Sequence, residues 1–297
     1  MGDALIWLIT NIGLGFYNFF YALSHPLQWL DWSNKEALMR FIYYGASVEF
    51  FFVFLDIVIV LTVVGLIWPR VMWACVRGLE GFANGIGRAA AWVGLLMVLQ
   101  QVVVVFLQSI FRLGTLTFSP AGMGFSQSVG WFTEELKLYN AMIVALCVTY
   151  TFVQGGHVRV DLVYSVVKFR TKKVIDMFGS LFFMIPAGIL TWLYAWFFLW
   201  RNMLTPKVSA SDTLDMMLRK ASIAKWNVET IGFSPNGFNG YFLFKILMVA
   251  FTGLVILHAI AFFFRSLLEF REGEASENKY LDRDQMGVEE DPLHSVH

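Results

Sequence analysis

The sequence predicts an all-α fold: a polytopic helical membrane protein of about six transmembrane helices. Three observations carry the prediction. Of 297 residues, 58% are hydrophobic and only 15% charged, whereas soluble domains run at about 45–50% and about 25%. Thirty Phe, 11 Trp and a mean hydropathy of +0.62 move the chain further from water. The apolar residues also gather into continuous runs near the roughly 20 residues that a helical span needs. A barrel would show alternating strands of about 10 residues instead. With 22 basic and 22 acidic residues, there is no electrostatic footprint for a nucleic-acid partner.

Charges separate the runs into six segments. Residues 4–24 carry no charge, although Thr10, Asn11 and Asn18 make them only moderately apolar. This segment lacks the basic n-region of a signal peptide. It reads as a span or as a helix lying in the interface, and its Asn residues with no Lys or Arg favour the span. Residues 41–68 are longer and hold Glu49 and Asp56. Residues 89–111 are uncharged, as are 138–153, a short run whose helix is expected to start near Trp131. Residues 177–200 are uncharged and aromatic, with Pro186 inside; residues 241–264 contain Lys245 and His258.

The connectors set the orientation, because Lys and Arg are retained on the cytoplasmic side. Arg159, Lys168, Arg170, Lys172 and Lys173 form the densest basic cluster, and Arg70, Arg77 and Arg88 mark a second. Residues 113–134 have neither Lys nor Arg and read as external. Both termini are then cytoplasmic. One connector dissents: residues 201–240 must be external yet hold Arg201, Lys207, Arg219, Lys220 and Lys225. At about 40 residues it reads as a small cap with its own helix, N-capped by Ser211 and carrying Leu214, Met217 and Leu218 on one face. Trp29, Trp32, Trp68, Trp131 and Trp200 stand at span ends, as an aromatic belt would. From Glu269 onward nine acids face three bases, and the tail reads as solvated and disordered.

Chemistry-bearing motifs are sparse. The stretch from Gly81 to Arg88 is glycine-rich but lacks a phosphate-loop ending, and reads as a flexible connector. Cys75 and Cys147 form neither a disulfide framework nor a metal cluster. Of the histidines only His258 lies well inside a span, which disfavours bis-histidine haem and leaves a packing role. Glu49 and Asp56, seven residues apart, share a helix face and read as bundle-facing acids, hydrogen-bonded or paired with Lys245. The alternative is an ion or proton site. Lys245 itself reads as snorkelling to the interface. Gln100, Gln101 and Gln108 read as interhelical hydrogen bonders. There is no internal repeat and no pair of interrupted helices, so a stand-alone transporter is disfavoured.

The fourth run and its flanks sharpen this. Around its start stand Glu134, Glu135, Leu136, Lys137 and Tyr139; after it come Gly156, His157, Arg159, Asp161 and Leu162. The pattern resembles the small permease subunit (DctQ-type) of tripartite ATP-independent periplasmic (TRAP) transporters, over roughly residues 88–268. Residues 1–87, with two further spans, the long external segment and the acidic tail (269–297) depart from that family. The resemblance implies a non-enzymatic auxiliary subunit in a bacterial inner membrane. Its partners would be a large TRAP permease subunit and a periplasmic solute-binding protein, for uptake of an organic acid (a carboxylate). Sodium coupling would reside in the large subunit, and no cofactor beyond bound membrane lipid is implied here. Glu134, Glu135, Tyr139, His157, Arg159 and Asp161 are then candidates for the subunit interface or for fixing helix ends. The competing classes are a membrane anchor of a redox complex and an autonomous ion-coupled transporter using Glu49 and Asp56.

Overall fold

A computed structural model describes residues 2–118, 125–155, 166–232, 234 and 237–282. Among the described residues the chain is all-α apart from two short antiparallel ribbons, and six helical stretches are long and apolar enough to cross a membrane. It is a multi-pass membrane protein.

α1 (Gly2–Ser24) is followed by the single turn α2 (Leu27–Leu30) and by α3 (Lys35–Tyr44). The Asn34 side chain caps α3 by accepting from the Glu36 amide at 2.9 Å. α4 (Val48–Ile67) starts seven residues later than the apolar run that encodes it. Residues 41–44 belong to α3, because Gly45, Ala46 and Ser47 break the run and Ser47 accepts from the Phe50 amide. α3 is an amphipathic cap helix whose Leu38, Met39 and Ile42 are buried against Trp196, Trp200, Leu204 and Ala221.

α5 (Pro69–Val105) is one 37-residue helix ending in a π-turn at Phe106–Ile110. The glycine-rich stretch 81–88, expected as a flexible connector, is helical throughout. Met72, Trp73, Val76, Glu80, Ala83 and Gly87 are buried at spacings of one, three and four, so the helix period runs through the connector. The boundary drawn between 87 and 88 therefore falls inside a continuous helix. Pro69 at its first position needs no intrahelical donor. A ribbon of β1 (Thr115–Phe118) and β2 (Phe125–Ser128) leads into α6 (Val129–Val153), which begins two residues before Trp131. α5 and α6 pack closely: at Gly87 a side chain would collide with the Tyr150 ring.

α7 (Phe169–Gly179), a π-turn at Ser180–Met184 and α8 (Ile185–Arg201) form one continuous rod. The widened turn precedes Pro186, which lacks an amide and crowds the carbonyl four residues back. The cap follows: β3 (Leu204–Thr205) pairs with β4 (Lys225–Trp226) around α9 (Leu214–Ile223). α9 is capped by Thr213, not by Ser211 as the sequence suggests. Ser211 instead shares a hydroxyl bond with Ser209 at 3.0 Å. α10 (Tyr241–Glu272) closes the bundle and continues eight residues past its apolar run. Its Ile256, Ile260, Phe264 and Leu268 pack on Met72, Trp73 and Val76 of α5.

The tail departs from its expected solvated character as far as it is described. Residues 273–282 fold back over the helix ends, burying Ser276. Residues 283–297 lie outside the described part.

Candidate functional site

The acids before the fourth span come together with two other elements. Ser128 caps α6 by accepting from the Trp131 amide at 3.2 Å, which fixes the first turn and aims Glu134 and Glu135 in different directions. Glu135 points to α5, where Gln100 donates to Oε2 at 3.0 Å; Tyr139, one turn on, donates to Oε1 at 3.1 Å. Glu134 points to the segment before α10. Its carboxylate accepts from Ser234 Oγ at 3.0 Å and from the Phe238 amide at 2.9 Å. Trp131 meets Phe238 edge-on at 5.3 Å. A side chain at Gly237 would collide with the Glu134 carboxylate, so glycine permits the approach. The pair thus clamps α5, α6 and the cap segment at one end of the bundle. Gln100 is the interhelical bonder expected of it; Gln101 and Gln108 are exposed and form no hydrogen bond among the described residues. His157, Arg159 and Asp161, the other half of the motif, lie outside the described residues.

The intramembrane groups are arranged differently from expectation. Glu49 is exposed in the first turn of α4, where its charge complements the helix dipole. Asp56 is 3% exposed, and neither carboxyl oxygen has a hydrogen-bond partner among the described residues. It sits against Gly15 of α1, where a side chain would collide with it, and Trp7 meets Phe52 nearby at 5.4 Å. The two acids therefore do not share a bundle-facing surface. Nor does Lys245 pair with Asp56 or snorkel. It is 3% exposed, its ammonium is paired with Glu229 of the cap, and it lies over the Tyr241 ring at 4.8 Å and the Phe198 ring at 5.2 Å. The cap's acid is near and Asp56 is not, which decides the pairing. His258 is buried and stacks on Phe152 at 5.3 Å, consistent with a packing histidine.

Two polar clusters carry no sequence motif. At the cap, Asp212 accepts from Tyr43 of α3, from Lys220 of α9 at 2.6 Å and from the Ser209 amide at 3.1 Å. Burial pushes the Asp212 carboxyl up, but the hydrogen bonds from Lys220, Tyr43 and Ser209 outweigh it and hold it below the usual carboxylate value. Burial and the same carboxylate push the Tyr43 phenol up. Trp196 and Trp192 donate to the Ile42 and Gly45 carbonyls at 2.6 and 2.9 Å, so α3, α8 and α9 form one rigid platform.

At the opposite end, Arg265 of α10 makes a two-pronged contact with Glu80 of α5, at 2.6 and 2.5 Å. Glu269 accepts from Arg265 at 3.5 Å and pairs with Lys173 of α7 at 2.6 Å. The Lys279 carbonyl accepts from Arg265 at 3.0 Å, and Asp282 receives Asn84 and Arg88 of α5. One buried and one part-buried cation thus face two buried anions, and the folded-back segment completes the hydrogen bonding of Arg265. The signal available in the sequence was Glu80 and Asn84 continuing the α5 period from Trp73 and Val76.

Among the described residues no group of three or more His, Cys, Asp or Glu side chains could hold a metal. Comparison of the chain with protein-family models, curated proteins and solved structures finds no match.

Proposed function

We propose that this chain is the auxiliary small membrane subunit of a TRAP-type secondary transporter in a bacterial inner membrane. It holds the large permease subunit in the bilayer and helps receive a periplasmic solute-binding protein that delivers an organic acid. Coupling to sodium belongs to the large subunit. Both termini are cytoplasmic, so the cap of α3 and residues 202–240 faces the periplasm.

The observation that carries the reading is the motif before the fourth span and what its acids hold. Glu135 and Tyr139 join α6 to α5 through Gln100, and Glu134 joins α6 to the cap. A subunit without a translocation path needs rigidity and docking surfaces, and these residues supply the first. The second is supported by α9, whose Leu214 and Leu218 are 66% and 38% exposed outside the spans. An apolar face in that position marks a protein contact. The N-terminal extension has a place in this scheme: α3 is the base on which α9 is fixed, through Tyr43 and Asp212.

Co-expression of the tagged chain with the large permease and its binding protein tests the proposal. The permease is expected to co-purify. Leu214→Ser/Leu218→Ser should weaken docking of the binding protein while leaving the permease bound. Failure of any large permease to co-purify with the unaltered chain would remove the reading.

A further inference from the structure

We propose that the chain carries a site for one anionic phospholipid, with an acyl chain between α4, α8 and α10 and the phosphate at the end of α8. It stands on the membrane character of the chain alone and not on the transporter reading.

A cleft of about 230 Å³ opens between the three helices, lined by Ala46, Phe50 and Phe54, by Leu193, and by Gly253 and Leu257. The two groups at its wall that could bind a polar solute are already engaged. Ser47 caps α4, and the Trp192 N–H is donated to the Gly45 carbonyl. What is left to offer is apolar surface, between three helical stretches long and apolar enough to cross a membrane. A flexible acyl chain, which brings no polar group with it, suits such a lining.

The same helix continues to a second hollow, lined by Phe197, Arg201, Lys207 and Ser209. Leu193, Phe197 and Arg201 recur every four residues, so one stripe of α8 runs from the first hollow into the second, over about 12 Å. Arg201 and Lys207 are both exposed, and their side chains form no ion pair or hydrogen bond among the described residues. Lys220 of α9, by contrast, is spent on Asp212. Two unpaired cations at the water-facing end of an apolar stripe match a phosphodiester followed by its acyl chain. They also account for basic residues in the connector that dissents from the charge bias.

The test is native mass spectrometry of the full chain in detergent, with equal amounts of palmitoyl-oleoyl phosphatidylglycerol and phosphatidylcholine added. One phosphatidylglycerol is expected to be retained in preference. Arg201→Gln/Lys207→Gln changes only exposed side chains and should weaken its retention roughly 30-fold, as expected for two basic groups at an anionic surface. Ala46→Phe, which fills the cleft, should lower retention of both lipids without changing their ratio. Equal retention of the two lipids by the unaltered chain would overturn the proposal. So would unchanged phosphatidylglycerol binding in the double variant, or unchanged lipid retention in Ala46→Phe.

Discussion

Single side chains decide how the ends of this bundle are held. Arg265 is the clearest case. Replacing it by Ala leaves Glu80 buried without its cation and Glu269 with Lys173 alone, a situation that costs about 3–5 kcal/mol. A lower melting temperature in detergent is the expected readout, with recovery when Glu80 is replaced by Met alongside Arg265→Met. Asp212 gives a pH signature of known sign. Its carboxyl titrates below the ordinary value in the folded protein, so its stabilisation is complete above about pH 4. It is lost as the pH falls through the lower, folded-state value. Melting temperature should therefore drop below pH 4 in the unaltered chain, and less steeply in Asp212→Asn, which itself costs about 1–3 kcal/mol at neutral pH. Asp56 is the converse. With no hydrogen-bond partner among the described residues, Asp56→Asn should leave stability and uptake by the proposed transporter unchanged. Loss of sodium-driven uptake in that variant would return Asp56 to the role of an ion site.

Among the helices, the spans were legible because bilayer thickness sets a length that hydropathy alone reveals. Their ends were not. α3 hides inside the apolar run 41–68 because its buried face and the following span are equally apolar, and only Gly45 to Ser47 separates them. α5 hides its first five turns because glycines and arginines at exposed positions mask a buried face at helical spacing. The α5–α6 contact makes a test of that reading. Gly87→Val places a branched side chain against Tyr150 and should cost about 1–3 kcal/mol. Gly94→Ala on the same helix would meet Ile143 only at ordinary contact distance, 3.6 Å, and should be tolerated.

Across the whole molecule, the pairings that fix the architecture join residues far apart in sequence. Glu134 with Ser234, Tyr43 with Asp212, and Glu80 with Arg265 are each invisible to local pattern. The acidic tail read as solvated for the same reason: its composition is polar, but Glu269 and Asp282 meet bases and amides from α5 and α7. Glu134, Glu135, Tyr139 and Gln100 were named in advance and are found in one clamp. The sidedness inferred from Lys and Arg is open to direct test in a chain with Cys75 and Cys147 replaced. Ser211→Cys should react with a membrane-impermeant maleimide in intact cells, and Glu274→Cys only after permeabilisation. We propose that the chain supports a translocating neighbour and has no transport activity alone. Sodium-driven uptake of an organic acid into proteoliposomes tests it most directly. Flux is predicted only when this chain, the large permease and the binding protein are present together. Flux through vesicles holding this chain by itself would make it a transporter in its own right and remove the auxiliary role.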